Sequence, residues 1–159
     1  MNDKRLLFRL AGAAALTPIA AEASRVPLQA PRNSMASYFP NVELETHDGR
    51  KVRFYDDLIR DKVVSFNMMY SICTGICPIN TANLMQVQQA LGARLGRDIH
   101  MYSITLRPEF DNAAALRDYM KHYRIPQRGG WTFLTGKPND VELVRRKLGF
   151  VGDTEEVDA

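Results

Sequence analysis

The segment Lys62-Val-Val-Ser-Phe-Asn-Met-Met-Tyr70 is apolar almost without interruption. A run of that continuity reads as a strand buried on both faces at the centre of a sheet. Leu84, Val87, Leu91 and Leu95 follow at helical spacing, which predicts a helix over residues 79–95. The alternation continues with a strand over Ile99–Ile104. A second helix opens at Asp111 or Asn112, turns Leu116, Tyr119, Met120 and Tyr123 inward and stops before Pro126. Trp131–Leu134 is a short strand. A third helix, capped by Asn139-Asp140 and stopped by Gly149, directs Val141, Val144 and Leu148 inward. Upstream, Asn41–Thr46 and Arg50–Phe54 alternate on either side of Asp48-Gly49, the pattern of a β-hairpin. A hairpin followed by strand–helix units requires right-handed crossovers and a largely parallel sheet clad by helices. The fold class is α/β. Ligands of such sheets gather beyond the carboxyl ends of the strands, where this chain places Tyr70–Pro78 and Thr105–Pro108.

With 159 residues, 45% hydrophobic and 25% charged, the chain has the substance for one domain and one core without disulfide staples. That composition excludes intrinsic disorder, collagen-like repeats and a disulfide scaffold. The formal charge of +3 is scattered, and its one run, Arg145-Arg146-Lys147, reads as a solvated helix face. Nothing here argues for a nucleic-acid partner. No apolar stretch approaches the roughly 20 residues of a membrane span, so any membrane association would be one of proximity. Lys4, Arg5 and Arg9, then Leu10–Ala20, then Ala21-Glu22-Ala23 form a basic start, an apolar segment and a small-x-small site. Residues 1–23 are read as a secretory signal peptide, with a disordered or amphipathic tail as the alternative. The expected destination is the periplasm. Residues 24–38, rich in Pro, Ser and Ala, are read as a linker, and 39–159 as the folded domain.

The chemistry concentrates in Tyr70-Ser71-Ile72-Cys73-Thr74-Gly75-Ile76-Cys77-Pro78, which holds both cysteines of the chain between a strand and a helix. Four residues apart, the thiols are close enough to form a disulfide or to chelate one ion together. Cys77 stands where the helix begins, and the unpaired N–H groups and dipole there favour thiolate over thiol. Pro78 suits the first helical turn, where its missing N–H costs nothing. A structural disulfide, or a pair of inert thiols, is the plainer alternative, but closing so short a loop stabilises little. Two thiolates fall short of a closed zinc site, which takes four ligands. Soft sulfur donors with one imidazole suit copper.

Strand, Cys73-x-x-x-Cys77-Pro78 and helix, preceded by a hairpin, resembles the SCO/SenC family from about Phe39 to the end of the chain. Phe39-Pro40, Ser103-Ile104 and Trp131-Thr-Phe-Leu-Thr-Gly136 belong to the same likeness. The resemblance implies a thioredoxin-like fold and an exported copper-binding assembly factor for the dinuclear copper site of cytochrome c oxidase subunit II. It also implies Cys73 and Cys77 as copper ligands, joined by one later histidine. Two departures stand out. The family's S-x-D-P-x-x-D becomes Ser103-Ile-Thr-Leu-Arg-Pro-Glu-Phe-Asp111, two residues longer and without the first acid. The family histidine is expected beyond Ala159, with the C-terminal part of the domain, including a final strand pair, missing and one sheet edge left exposed.

The histidines within the chain are poor substitutes. His47, beside the Asp48-Gly49 turn, is expected in solvent, as is His122 on the outer side of its helix. His100 begins its strand, roughly 15 Å from the cysteine end at about 3.3 Å per residue. Met68 and Met69 are softer donors, though methionine in a central strand usually fills the core. Copper delivery without turnover is the first functional reading. A thiol–disulfide oxidoreductase, with one cysteine attacking and the other resolving, is the second. Thr74-x-x-Cys77 also gives the T-x-x-C of a peroxiredoxin-type peroxidase, but Tyr70 stands where that motif wants proline. An interaction module with an incidental disulfide is the last.

Overall fold

The computed structural model describes residues 32–127 and 129–150. The signal-peptide reading of residues 1–23 lies outside them, as does residues 24–31 of the linker reading. Within the linker segment, Arg32–Tyr38 forms a short helix, α1.

The hairpin forms where alternation places it. Strands β1 (Glu43–Thr46) and β2 (Lys51–Arg53) pair antiparallel with Leu44 opposite Val52. Gly49 turns the chain at φ +85°, a conformation that costs glycine little. Residues Phe54–Ile59 then make a single π-helical turn that no periodicity announced. It buries Phe54 and Leu58, and the Asn41 side-chain oxygen accepts from the backbone N–H groups of Tyr55 and Asp56.

Strands β3 (Val63–Met69), β4 (Ile99–Thr105) and β5 (Trp131–Gly136) run parallel, and β1 joins β5 antiparallel. The five-stranded order is β2-β1-β5-β4-β3. Among the described residues the centre of this sheet is β5 and β3 stands at its edge, so within them Lys62–Tyr70 is not the central strand buried on both faces that its apolar run suggested. Among the described residues β3 pairs with β4 alone, and Val63 is 63% exposed. An apolar run reports affinity for a nonpolar environment; the position of the strand in the sheet depends on pairings elsewhere in the chain.

Helix α2 spans Ile76–Leu91 and ends at Gly92, followed by a 3₁₀ turn over Gly92–Arg94. It starts three residues before the expected point, and Leu95 lies beyond it. Helix α3 (Ala113–His122) is capped by Asn112, whose side chain accepts from the N–H groups of Ala114 and Ala115 at 3.0 Å. Helix α4 (Pro138–Lys147) takes Lys137 as its cap, not Asn139-Asp140, because Pro138 fits the first helical position. Gly149 ends it at φ +82°.

The sheet carries an apolar cluster on each face, as the period of two requires. One gathers Met69, Met101, Leu116, Tyr119, Met120, Trp131 and Phe133 together with both cysteines. The other gathers Leu44, Phe54, Leu58, Tyr102, Ile104, Leu134, Val141 and Val144. Ser103 is fully buried on the cysteine side, where it accepts from Trp131 Nε1 at 2.8 Å and donates to Asn67 at 2.6 Å. No helix among the described residues is long and apolar enough to cross a membrane.

Candidate thiol site

The parallel strands direct their carboxyl ends toward one rim, and β3 delivers the chain there at Met69. The Met69 carbonyl accepts from Leu106 N–H at 2.7 Å, so the departing chain remains tied to the segment leaving β4. Cys73 N–H donates to the Tyr70 carbonyl at 3.2 Å and closes a turn. Helix α2 follows with Cys77 as its second residue. Both thiols are reduced and buried, at 7% exposure for Cys73 and 5% for Cys77. Around them the surface is apolar, with Ile72, Ile76 and Ile79 each about 60% exposed or more.

The pair is internally hydrogen-bonded, and the two sulfurs are not equivalent. Burial pushes the Cys73 thiol up, but donors from the Cys77 thiol, the Cys77 backbone N–H, the Tyr70 hydroxyl and the Gly75 backbone N–H outweigh it. Cys73 ends below the ordinary thiol value. Cys77 is pushed up to about 11, first by burial and then by its hydrogen bond to Cys73. This reverses the expectation that Cys77, as the residue at the helix start, would be the thiolate. The N–H groups at the helix start do favour a thiolate, and the Cys77 N–H lowers both thiols, but at Cys77 burial and the bond to Cys73 outweigh it. Tyr70 is held above the ordinary phenol range, chiefly because its hydroxyl bonds to Cys73.

A buried carboxylate braces the loop from behind. Asp111, 1% exposed, accepts from Ser71 N–H at 3.0 Å and from the Ser71 hydroxyl. It also accepts from the Thr105 hydroxyl at 2.5 Å, and Thr105 Oγ1 in turn accepts from Arg107 N–H at 2.9 Å. Asp111 closes the stretch that departs from the S-x-D-P-x-x-D pattern, and Thr105 stands where its first acid would be. The two inserted residues leave Asp111 in reach of the loop. Tyr70, Ser71 and Thr105 lie in the two segments that the sequence placed at the strand ends, but neither they nor Asp111 were singled out as site residues. Asp111 carried a further signal as the last acid of a recognisable pattern.

None of the histidines joins the site. His47 is buried, not solvent-exposed as expected. The chain beyond the hairpin folds over it: Nε2 meets the Gln127 carbonyl at 3.0 Å, and Nδ1 accepts from Phe133 N–H at 3.2 Å. With both ring nitrogens engaged, His47 is a structural link between β1 and β5. His122 is exposed, with its ring edge-on to Tyr123. His100 pairs with Val64 at the far end of the sheet from Met69, about 16 Å away at strand rise. Met69 belongs to the cysteine-side cluster, and Met68 packs on the opposite one. Among the described residues no three His, Cys, Asp or Glu side chains lie together in a metal-binding group. The site therefore offers two soft donors to a metal.

The SCO1/SenC family profile matches residues 31–158. No curated protein matches the chain by sequence. Among solved structures it is similar to Bradyrhizobium japonicum ScoI with copper bound, at TM-score 0.57 and 21% identity over 66% of this chain and 62% of that one. Yeast Sco1 with copper bound gives TM-score 0.54 and 24% identity, over 66% of this chain and 63% of that one. BsSco, described through a disulfide switch and as a member of the Sco family of cytochrome c oxidase assembly proteins, gives TM-score 0.59 and 24% identity, over 69% and 63%. The shared architecture is thioredoxin-like. The chain spans less than two thirds of the length of each of these structures.

Proposed function

Because the chain belongs to the SCO1/SenC family, we propose that it is a copper-binding protein whose Cys73 and Cys77 hold the metal as cargo for the dinuclear copper site of cytochrome c oxidase subunit II. The observation that carries this reading is the reduced, mutually hydrogen-bonded thiol pair at the carboxyl end of β3, facing a rim of exposed isoleucines. Two sulfurs without a third donor fit Cu(I), which accepts two-coordinate thiolate ligation, better than zinc. Cu(II) in a tight site would need an imidazole as well, and His47, His100 and His122 are not placed to supply it. Copper-bound relatives of the same fold support the choice of metal. Delivery is stoichiometric, so the protein acts as a metallochaperone with no turnover of its own. Residues 1–23 would direct it to the periplasm, residues 24–38 would tether the domain, and residues 39–159 would carry the site.

A competitive titration with a Cu(I) chromophoric chelator tests the reading. The reduced protein should retain Cu(I) in preference to Zn(II), and Cys73→Ser or Cys77→Ser should each abolish that retention. Unchanged affinity in both variants would end the copper reading.

Thiol–disulfide exchange is the second reading, favoured by the inequality of the two sulfurs. Cys73, the more acidic, would attack a disulfide of the partner, such as the two cysteines of its copper site. Cys77 would then resolve the mixed disulfide, leaving the partner with two thiols and this chain with the disulfide. The disulfide switch described for BsSco is consistent with such chemistry. A peroxidase of peroxiredoxin type would need Cys77 as its thiolate, and burial drives that thiol the other way.

A further inference from the structure

The two thiols are carried by separately anchored pieces of chain. Cys77 rides on α2, which Thr81, one turn later, fastens to α3 through a 2.6 Å hydrogen bond to the Tyr119 hydroxyl. Cys73 rides on a loop that leaves β3, which among the described residues pairs with β4 alone. Three ties hold that loop: Leu106 N–H on the Met69 carbonyl, the Tyr70–Cys73 turn, and the Asp111 carboxylate on Ser71. The third is the strongest in kind, because a buried carboxylate accepting several donors makes charge-assisted hydrogen bonds. Asp111 is itself fixed by the Thr105 hydroxyl at 2.5 Å and by its own N–H to the Arg107 carbonyl at 2.9 Å, immediately before the cap of α3. Its side chain contacts neither cysteine in these bonds.

We propose that Asp111, held by Thr105 and gripping Ser71, is a positioning residue that sets the placement of Cys73 against Cys77. Ser71 lies between Tyr70, whose hydroxyl bonds to Cys73, and the turn that presents Cys73 itself. A shift of Ser71 therefore moves the Tyr70 donor and the Cys73 sulfur together, while α2 keeps Cys77 in place. The carboxylate is matched to this role by its three neutral donors. Asp111→Asn removes the negative charge that strengthens all three bonds, even though one amide oxygen could still accept from Ser71 N–H and Thr105 while the NH2 faces the rotatable Ser71 hydroxyl.

The proposal rests on the pair being the working site, but its test needs no copper. In glutathione redox buffers the two thiols give an electron pair and two protons to glutathione disulfide. One S–S bond forms in the protein and two glutathione thiols are released. The equilibrium constant measures how favourably the folded chain presents the two sulfurs. Asp111→Asn, Ser71→Ala and Thr105→Val should each lower it, by about tenfold for a lost charge-assisted bond, and Thr105→Ser, which keeps the hydroxyl, should restore it to within about twofold. Should Asp111→Asn fail to fold, Ser71→Ala removes the hydroxyl half of the grip at the half-buried end of the network and leaves the Ser71 N–H bond in place. A thermal melt run in parallel separates the alternatives. Lowered melting with an unchanged or raised constant would make Asp111 a fold-stabilising residue only and would overturn the proposal. If the wild-type chain bound no copper, the reading of its cargo would fail while this result stood.

Discussion

Helices α2 and α3 enter the same apolar cluster and are held in it very differently. The ten residues of α3 bury Ala113, Leu116, Tyr119 and Met120, whereas the sixteen of α2 bury only Cys77 and Thr81. Leu84, Met85 and Leu91 are partly covered, while Ile76, Ile79 and Val87 face outward. The expected inward set for α2 included Val87, which is 45% exposed. Helix α3 thus behaves as a wall of the domain. Helix α2 is secured at its thiol end, and its outer side carries the exposed Ile76, Ile79 and Val87. Stability resides in one helix and chemistry in the other.

The largest test of that contrast is a pair of truncations read by urea denaturation. Leu116→Ala should cost about 2–5 kcal/mol, the range for removing a fully buried leucine side chain. Val87→Ala should stay within about 0.5 kcal/mol, as for an ordinary surface change. Comparable losses from the two would show that α2 is packed as α3 is.

A smaller effect separates the sulfurs. With Cys77 near 11 and Cys73 below the ordinary thiol value, the thiolate fractions at pH 8 differ by at least about a hundredfold. The higher intrinsic nucleophilicity of the more basic thiolate returns roughly tenfold of this. Limited alkylation followed by peptide mass spectrometry should therefore find Cys73 modified about tenfold faster. The same raised value gives a pH signature. The buried Cys77 thiol contributes stability that is whole below the free thiol value and is lost as pH climbs through about 11. Equal alkylation of the two residues would remove the distinction on which the exchange reading depends.

The contrast between the helices also marks what was legible in the sequence. The hairpin, the three parallel strands and α3 each carry a local signal: Asp48-Gly49, period-two alternation, or Asn112 at a helix start. Those signals sit in short stretches of chain, and the structure follows them. The apolar run of β3 did not reveal that, among the described residues, it pairs with β4 alone, because strand order depends on distant pairings, here β5 inserting between β1 and β4. The same non-local closure buried His47, whose partners Gln127 and Phe133 lie about eighty residues away. At the site, the cysteine spacing was plain. The assignment of acidity failed because the Cys77 N–H at the helix start favours both thiolates, while burial and the bond to Cys73 outweigh it at Cys77. The support from Asp111 was masked by two inserted residues that change the spacing but preserve the contact.

The finest test concerns a buried polar bond joining the helices. Thr81 Oγ1 and the Tyr119 hydroxyl lie 2.6 Å apart in a buried setting. Thr81→Val keeps the shape of the side chain and strands the Tyr119 hydroxyl, so it should cost about 1–2 kcal/mol. Tyr119→Phe should cost less, because a threonine hydroxyl in a helix can turn to a carbonyl of the preceding turn. Removing both partners should cost less than the sum, since the stranded group disappears with its partner. If α2 is held chiefly at this end, Thr81→Val should also speed amide hydrogen exchange along residues 77–91 while leaving β4 and β5 protected. Exchange rising equally in α2 and the central strands would mean that the helix opens only with the whole domain. Its sparse burial would then suffice to make it part of the same cooperative unit as α3.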